Sequence, residues 1–199
     1  MKLDPYSRVA CETVASKGEI YITGEITSIA YVNIEEVVRN TIKEIGYGNE
    51  LTDIDYRTCN IIINLSKQSK DIALGVDKSL ETKEGVLISE GAGDQGLMFG
   101  FACSDTEELM PLPISIAHKL SKQLSYVRKQ KIIDYIKPDG KVQVTVEYED
   151  DIPKRIDTII VSTQHTEEAN LNLLKHDIKN KVINIEKRFS CKNSVAGIQ

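Results

Sequence analysis

The chain has 199 residues, 41% hydrophobic and 28% charged, the balance of a folded protein of one or two compact units. Twenty-five basic against thirty acidic side chains leave a formal charge of -5, so no general positive field attracts a phosphate backbone and nucleic acid is excluded as the expected partner. No apolar run approaches the roughly 18 to 20 residues of a membrane-spanning helix, and Met1-Lys2-Leu3-Asp4-Pro5 has no secretory apolar stretch, so the sequence reads as cytoplasmic with no membrane partner.

In chain order, Arg8 to Ala15 and Glu19 to Thr27 are rich in Val, Ile, Tyr and Thr, and Ser16-Lys17-Gly18 between them offers a turn with glycine where φ turns positive. This predicts a hairpin. With Ser16-Lys17-Gly18 as a three-residue turn, Glu12 faces Ile22, while Glu25 shares a face with Val9 and Cys11. The two acids are then expected on opposite sides of the sheet, serving different sites.

Ile34, Val37, Val38, Ile42 and Ile45 recur at helical spacing, with Asn33 as N-cap and Gly46 as stop. Cys59 to Leu65 is a nearly continuous apolar run, which predicts a strand covered on both faces. From about Ser66 to Gly91 the chain is polar and lacks periodicity, as a functional loop or a disordered linker does.

The second half repeats the layout. Leu97 to Cys103 reads as a strand, and Ala117, Leu120, Leu124 and Val127 stripe a helix over roughly Ile114 to Arg128. Val142, Val144, Val146 and Tyr148 alternate with polar residues, Asp150-Asp151-Ile152-Pro153 turns the chain, and Arg155 to Ser162 returns as a strand. A last helix carries Leu171, Leu174, Ile178 and Val182 on one face. Hairpin followed by helix thus occurs twice. The fold class expected is α+β, with repeated β-α-β-β-α-β type units, mixed or antiparallel sheets and helices on one face.

Cys11, Cys59, Cys103 and Cys191 are far apart, with no CxxC pair, and read as buried reduced thiols. His165-Thr166-Glu167 matches the HxE of zinc deaminases, but no PCxxC pair follows to hold the metal, and zinc is discarded. Gly91-Ala92-Gly93-Asp94-Gln95-Gly96 satisfies GxGxxG literally. A dinucleotide site needs that motif to open a helix within a βαβ unit, whereas the residues after Gly96 read as a strand. A glycine-allowed turn accounts for the glycines but not for Asp94-Gln95 at its tip.

Read as GAGDQGLMFGFA, the segment is similar to a signature of the S-adenosylmethionine synthetases, and other blocks agree in order and spacing. RVACET (8–13), GEIT (24–27), IEEVVRNT (34–41), EIGY (44–47) and KQS (67–69) resemble that family's first domain. LMP (109–111), AHKL (117–120), KPDGK (137–141), QVTV (143–146) and STQH (162–165) resemble its middle domain. The resemblance implies residues 1–88 as an incomplete N-terminal domain with a mobile loop at 68–78, residues 89–199 as the middle domain, and no C-terminal domain.

That family joins ATP and L-methionine into S-adenosylmethionine, the methionine sulfur attacking ribose C5′, and hydrolyses the released tripolyphosphate to phosphate and diphosphate. The resemblance implies Mg2+ and K+ as cofactors, and a homodimer or homotetramer with active sites built between two chains. It implies that Glu25 grips the methionine amino group, that Gln68 lines the methionine pocket, and that Glu12 binds the potassium ion. Asp139, Gly140 and Lys141 would contact ATP, with Lys141 neutralising phosphate as a point charge, and Asp94 would lie beside the substrates. By themselves Glu12 and Glu25 read equally as solvated strand carboxylates, Gln68 as a loop amide, and Pro138-Asp139-Gly140-Lys141 as a turn before a strand.

The family's magnesium-binding His-Pro-Asp-Lys motif lies upstream of where this chain begins, and its phosphate-binding C-terminal segments lie beyond where it stops. Residues 186–199 show no clear match, and residues 79–89 are extra. The expectation is a chain truncated at both ends and inactive alone. The alternative is a non-catalytic relative that acts as a binding or assembly module with a full-length subunit.

Overall fold

A computed structural model describes residues 2–48, 54–69, 71, 73, 80–85 and 96–184. The chain divides into two compact units, Met1–Phe99 and Gly100–Gln199.

The first unit opens with the expected hairpin, β1 (Arg8–Ser16) and β2 (Glu19–Thr27). Its loop is two residues long, because Ser16 already pairs with Glu19, and Gly18 turns it with φ of +69°. Helix α1 (Ile34–Ile45) follows. The Asn33 side chain accepts the Glu36 amide at 3.3 Å, and Gly46, at φ of +109°, sends its amide back to the Ile42 and Lys43 carbonyls. The helix is the crossover that lets β3 (Asn60–Ser66) pair in parallel with β2, giving a mixed sheet of order β1-β2-β3. Ile20 and Ile22 of the central strand, Ile42 of α1 and Cys59 form the core, with Ile34, Val38, Ile61 and Leu65 packed around it.

Two expectations fail here. β3 is not covered on both faces, since Ile62 and Ile63 are more than 40% exposed on this edge strand. The hairpin register is also one residue away from the one expected. Glu12 pairs with Thr23 and Ala10 with Glu25, so the two acids lie on the same face of the sheet.

A helical turn, Leu80–Lys83, follows further along the chain, whereas most of the 68–78 loop and Asp94 fall outside the described residues. Leu97 to Cys103 is neither strand nor helix. Its Leu97, Met98, Phe99 and Phe101 side chains stand exposed, and among the described residues no strand pairs with it. The expected strand is absent, and the helix that a dinucleotide fingerprint requires is equally absent after Gly96.

The second unit runs α2 (Leu112–Lys129), β4 (Ile136–Glu149), β5 (Ile152–His165) and α3 (Leu171–Ile178), the last continuing as a π-helical turn over Lys179–Ile183. Asp150 and Asp151, both at positive φ, join β4 to β5 in the two-residue loop that suits the twist of an antiparallel pair. Pro153 sits beside a register shift, where its missing N–H interrupts little. Leu112, Ile116, Leu120, Leu124 and Val127 of α2 share one core with Ile159 and Val161 of β5 and with Leu174, Ile178 and Val182. Asn170 caps α3 by accepting the Asn172 and Leu173 amides.

Pro138-Asp139-Gly140-Lys141 is not a turn before a strand. It lies inside β4, where the register shifts between Ile136 and Gly140. The mixed and antiparallel sheets, and the helix that follows each hairpin, agree with the α+β class.

Candidate functional site

In the first unit, β2 is the central strand, so its residues have neighbours on both sides. Glu25 is half-buried, between Ala10 of β1 and Ser66 of β3. Glu12 is exposed on β1 opposite Thr23, which puts the two carboxylates on a cross-strand diagonal, about 7–8 Å apart between Cα atoms. Tyr21 and Asn64 lie on the same face, and the Asn64 amide donates to the Tyr21 hydroxyl at 3.0 Å. Gln68 is half-buried two residues past the end of β3, at the end of the sheet where Ser66 pairs with Glu25. The register thus puts Glu12, Thr23 and Glu25 on one face of the sheet, while Gln68 follows β3 at the end where Ser66 pairs with Glu25.

Gly24, beside Glu25, holds this face in place. Its φ is +138°, and a Cβ there would lie 2.1 Å from the Ala10 carbonyl oxygen, so β1 approaches β2 too closely for any side chain. Behind the sheet, on the helix side, Val9, Ile26, Ile34 and Leu65 line an apolar cleft of about 670 Å³. Asp4 lies at its edge. The buried carboxylate accepts the Ser28 hydroxyl at 2.6 Å and the amides of Ile29 and Tyr6 at 3.0 and 3.1 Å. Those hydrogen bonds hold its pKa below the ordinary carboxylate range. This cleft is on the opposite side of the sheet from Glu12 and Glu25.

In the second unit, Gly140 and Lys141 face opposite ways. Gly140 pairs with Thr163 on the core side, and a Cβ there would meet Leu124 Cδ2 at 2.6 Å, so the glycine lets α2 pack close to the strand. Lys141 pairs with Ser162 and projects from the exposed side with Gln143 and Thr145, while Asp139 is exposed within the register shift. Among the described residues the ammonium of Lys141 has no ion-pair partner, and it can meet an anion as a point charge.

A hard cation needs several oxygens converging on one point. Among the described residues no three His, Cys, Asp or Glu side chains come together in that way. Glu12, Thr23 and Glu25 offer two carboxylates and a hydroxyl spread along an open face, which does not close a cage for K+, and no described cluster fits Mg2+. Cys11, Cys59 and Cys103 are free thiols; Cys59 is buried, whereas Cys11 and Cys103 are only partly so, against the expectation for all four. No described helix is long and apolar enough to cross a membrane.

Sequence reasoning missed two features. The Asp4 network was hidden because its partners lie 24 and 25 residues away. The Tyr21–Asn64 contact depends on parallel register, which no local pattern encodes.

Residues 1–70 match the family model for the S-adenosylmethionine synthetase N-terminal domain, and residues 89–195 match that for its central domain. The second match extends past Ile185, where the resemblance was expected to fade. The chain is also similar to the S-adenosylmethionine synthase of Clostridium botulinum (strain Alaska E43 / Type E3), at 52% identity over 184 residues, 91% of this chain. It spans about half the length of that relative, 47%. Two domain matches in the family's order, together covering most of the chain, establish that it belongs to the S-adenosylmethionine synthetase family.

Proposed function

We propose that this chain supplies the methionine-facing sheet and one ATP-contacting strand of an enzyme that makes S-adenosylmethionine from ATP and L-methionine. The observation that carries this reading is the succession of N-terminal and central domain matches along one chain. The position of Gln68 two residues past Ser66, the residue paired with Glu25, supports it further, since a carboxylate and an amide at the same end of a sheet suit the charged ends of a free amino acid.

In this reading Glu25 binds the methionine ammonium, Gln68 orients the amino acid, Lys141 meets the phosphates beside Asp139 and Gly140, and Asp94 lies next to the reacting atoms. Mg2+ would neutralise the leaving tripolyphosphate, and no cluster among the described residues fits it. Glu12 would give K+ one carboxylate, with the remaining oxygens coming from outside the described residues. A homodimer or homotetramer in the cytoplasm completes the proposal.

The 199 residues span 47% of that relative's length, so a chain of these residues alone carries only part of what the relative carries. Losing one electrostatic donor costs on the order of 10² to 10³ in rate. The purified chain, given ATP, methionine, Mg2+ and K+, is therefore expected to form little or no S-adenosylmethionine. Methionine binding is the sharper test. Isothermal titration of the chain with L-methionine should show weak binding that Glu25→Gln abolishes and Lys141→Ala preserves. Equal affinity in wild type and Glu25→Gln removes Glu25 from the site.

A second reading, a module that pairs with a full-length relative, draws on the open β1-β3 face, where Val14 and Ile62 are exposed. Co-elution with a full-length synthase, accompanied by a change in its activity, would favour it.

A further inference from the structure

Helix α2 begins without a cap of its own. Pro111 occupies the N-cap position, its side chain caps nothing, and the first turn holds no acidic residue. The cap comes from seven residues upstream, where Asp105 Oδ2 accepts the Leu112 amide at 3.1 Å. The same oxygen accepts the Tyr148 hydroxyl at 2.5 Å, from the far end of β4. Between these anchors the chain is closed on itself. The Cys103 amide donates to the Leu109 carbonyl at 3.1 Å, and the Leu109 amide to the Thr106 carbonyl at 3.0 Å. Thr106 Oγ1 accepts the Met110 amide at 3.1 Å and donates to its carbonyl at 2.8 Å. Glu108 reaches along the helix to Lys119 at 3.2 Å.

We propose that Asp105 is a positioning residue: with one carboxylate oxygen it latches the loop Cys103–Pro111 to both α2 and β4. Neither Asp105 nor Tyr148 belongs to the buried core of the second unit. Releasing the latch therefore opens the loop while the core stays folded, a local event and not a global one. Upstream of the latch, Phe101 is 76% exposed and adds no buried contact of its own. The hydrogen bonds that Asp105 receives also hold its pKa low, in keeping with a carboxylate that works ionised. The inference does not rest on the synthetase reading, because it is measured on the chain itself without substrate.

The test is residue-resolved amide exchange on the full chain. Asp105→Ala is expected to speed exchange of the Cys103, Leu109 and Leu112 amides by about tenfold, the equivalent of one charge-assisted hydrogen bond, while Ile159 and Val161 keep wild-type rates. Asp105→Asn, which retains an acceptor oxygen, should restore part of the protection. Tyr148→Phe leaves the cap and cuts only the tie to β4, so it should speed Cys103 and Leu109 more than Leu112. Unchanged rates at Cys103 and Leu109 in Tyr148→Phe overturn the proposal even where Asp105→Ala does not fold. Equal acceleration of the loop and of Ile159 and Val161 overturns it too, since that is the mark of a general loss of stability.

Discussion

A Cβ on Gly24 would sit 2.1 Å from a backbone oxygen and 2.9 Å from Cys11 Cα, whereas one on Gly140 would meet only the end of the Leu124 side chain. Backbone of a paired strand cannot yield without breaking the ladder, but a leucine can change rotamer. Gly24 also holds φ of +138°, where L side chains are strained, and Gly140 does not. Gly24→Ala should therefore destabilise the first unit by more than about 2 kcal/mol, combining strain and clash. Gly140→Ala should cost the second unit about 1–2 kcal/mol of overpacking. Urea unfolding followed by amide exchange, which reads the two units apart, checks both. The comparison also bears on the proposed ATP contact: Gly140 already has a reason in packing, so Gly140→Ala tests α2 docking before it tests nucleotide binding, and Lys141→Ala is the cleaner probe.

Among the elements, the helices were legible from their spacing, although Val37 and Ile45 of the α1 stripe and Leu171 of the α3 stripe are exposed. In α2 the stripe of Leu120, Leu124 and Val127 was readable from spacing, and all three are buried. Leu120, 1% exposed at the centre of that stripe, should cost about 2–5 kcal/mol as Leu120→Ala in a denaturant titration. Val14→Ala on the open sheet face should stay within about 0.5 kcal/mol. What was not legible depended on partners. Leu97 to Cys103 has the composition of a strand, but a strand exists only where another pairs with it, and none does among the described residues. Counting Ser16 in the hairpin turn instead of the ladder moved the register by one, which was enough to put Glu12 and Glu25 on opposite faces when they share one. The length of β4 was underestimated because Pro138 and Gly140 look like turn residues, although a register shift accommodates both. The residues of the candidate site came from the family resemblance alone, and their relative geometry depended on a register that local pattern did not show.

Across the whole molecule, the titrating groups separate the two units. In the second, burial pushes Asp177 up, but hydrogen bonds from Tyr135 and Lys181 outweigh it and hold the carboxylate low. Its partner Tyr135 is driven well above an ordinary phenol, by burial first and by the hydrogen bond to Asp177 second; Tyr148 is pushed up to about 12, by burial and then by Asp105. A carboxylate lowered in the folded state adds stability above its unfolded pKa of about 4 and loses it as the pH falls through the folded value. A phenol raised in the folded state adds stability below its unfolded pKa of about 10 and loses it as the pH rises beyond that. The second unit should therefore weaken from both sides, in acid through Asp105 and Asp177 and in alkali through Tyr135 and Tyr148. Tyr135→Phe separates the two limbs. At pH 8 it should be less stable by about 1–2 kcal/mol, because Asp177 loses a hydrogen bond in a buried setting. Between pH 10 and 12 it should lose less stability per pH unit than the wild type, since one phenol no longer has to stay protonated in the fold. Urea midpoints by circular dichroism at pH 8, 10 and 11 check this: converging curves are expected, and curves that stay parallel would mean that the Tyr135–Asp177 pair does not couple folding to pH.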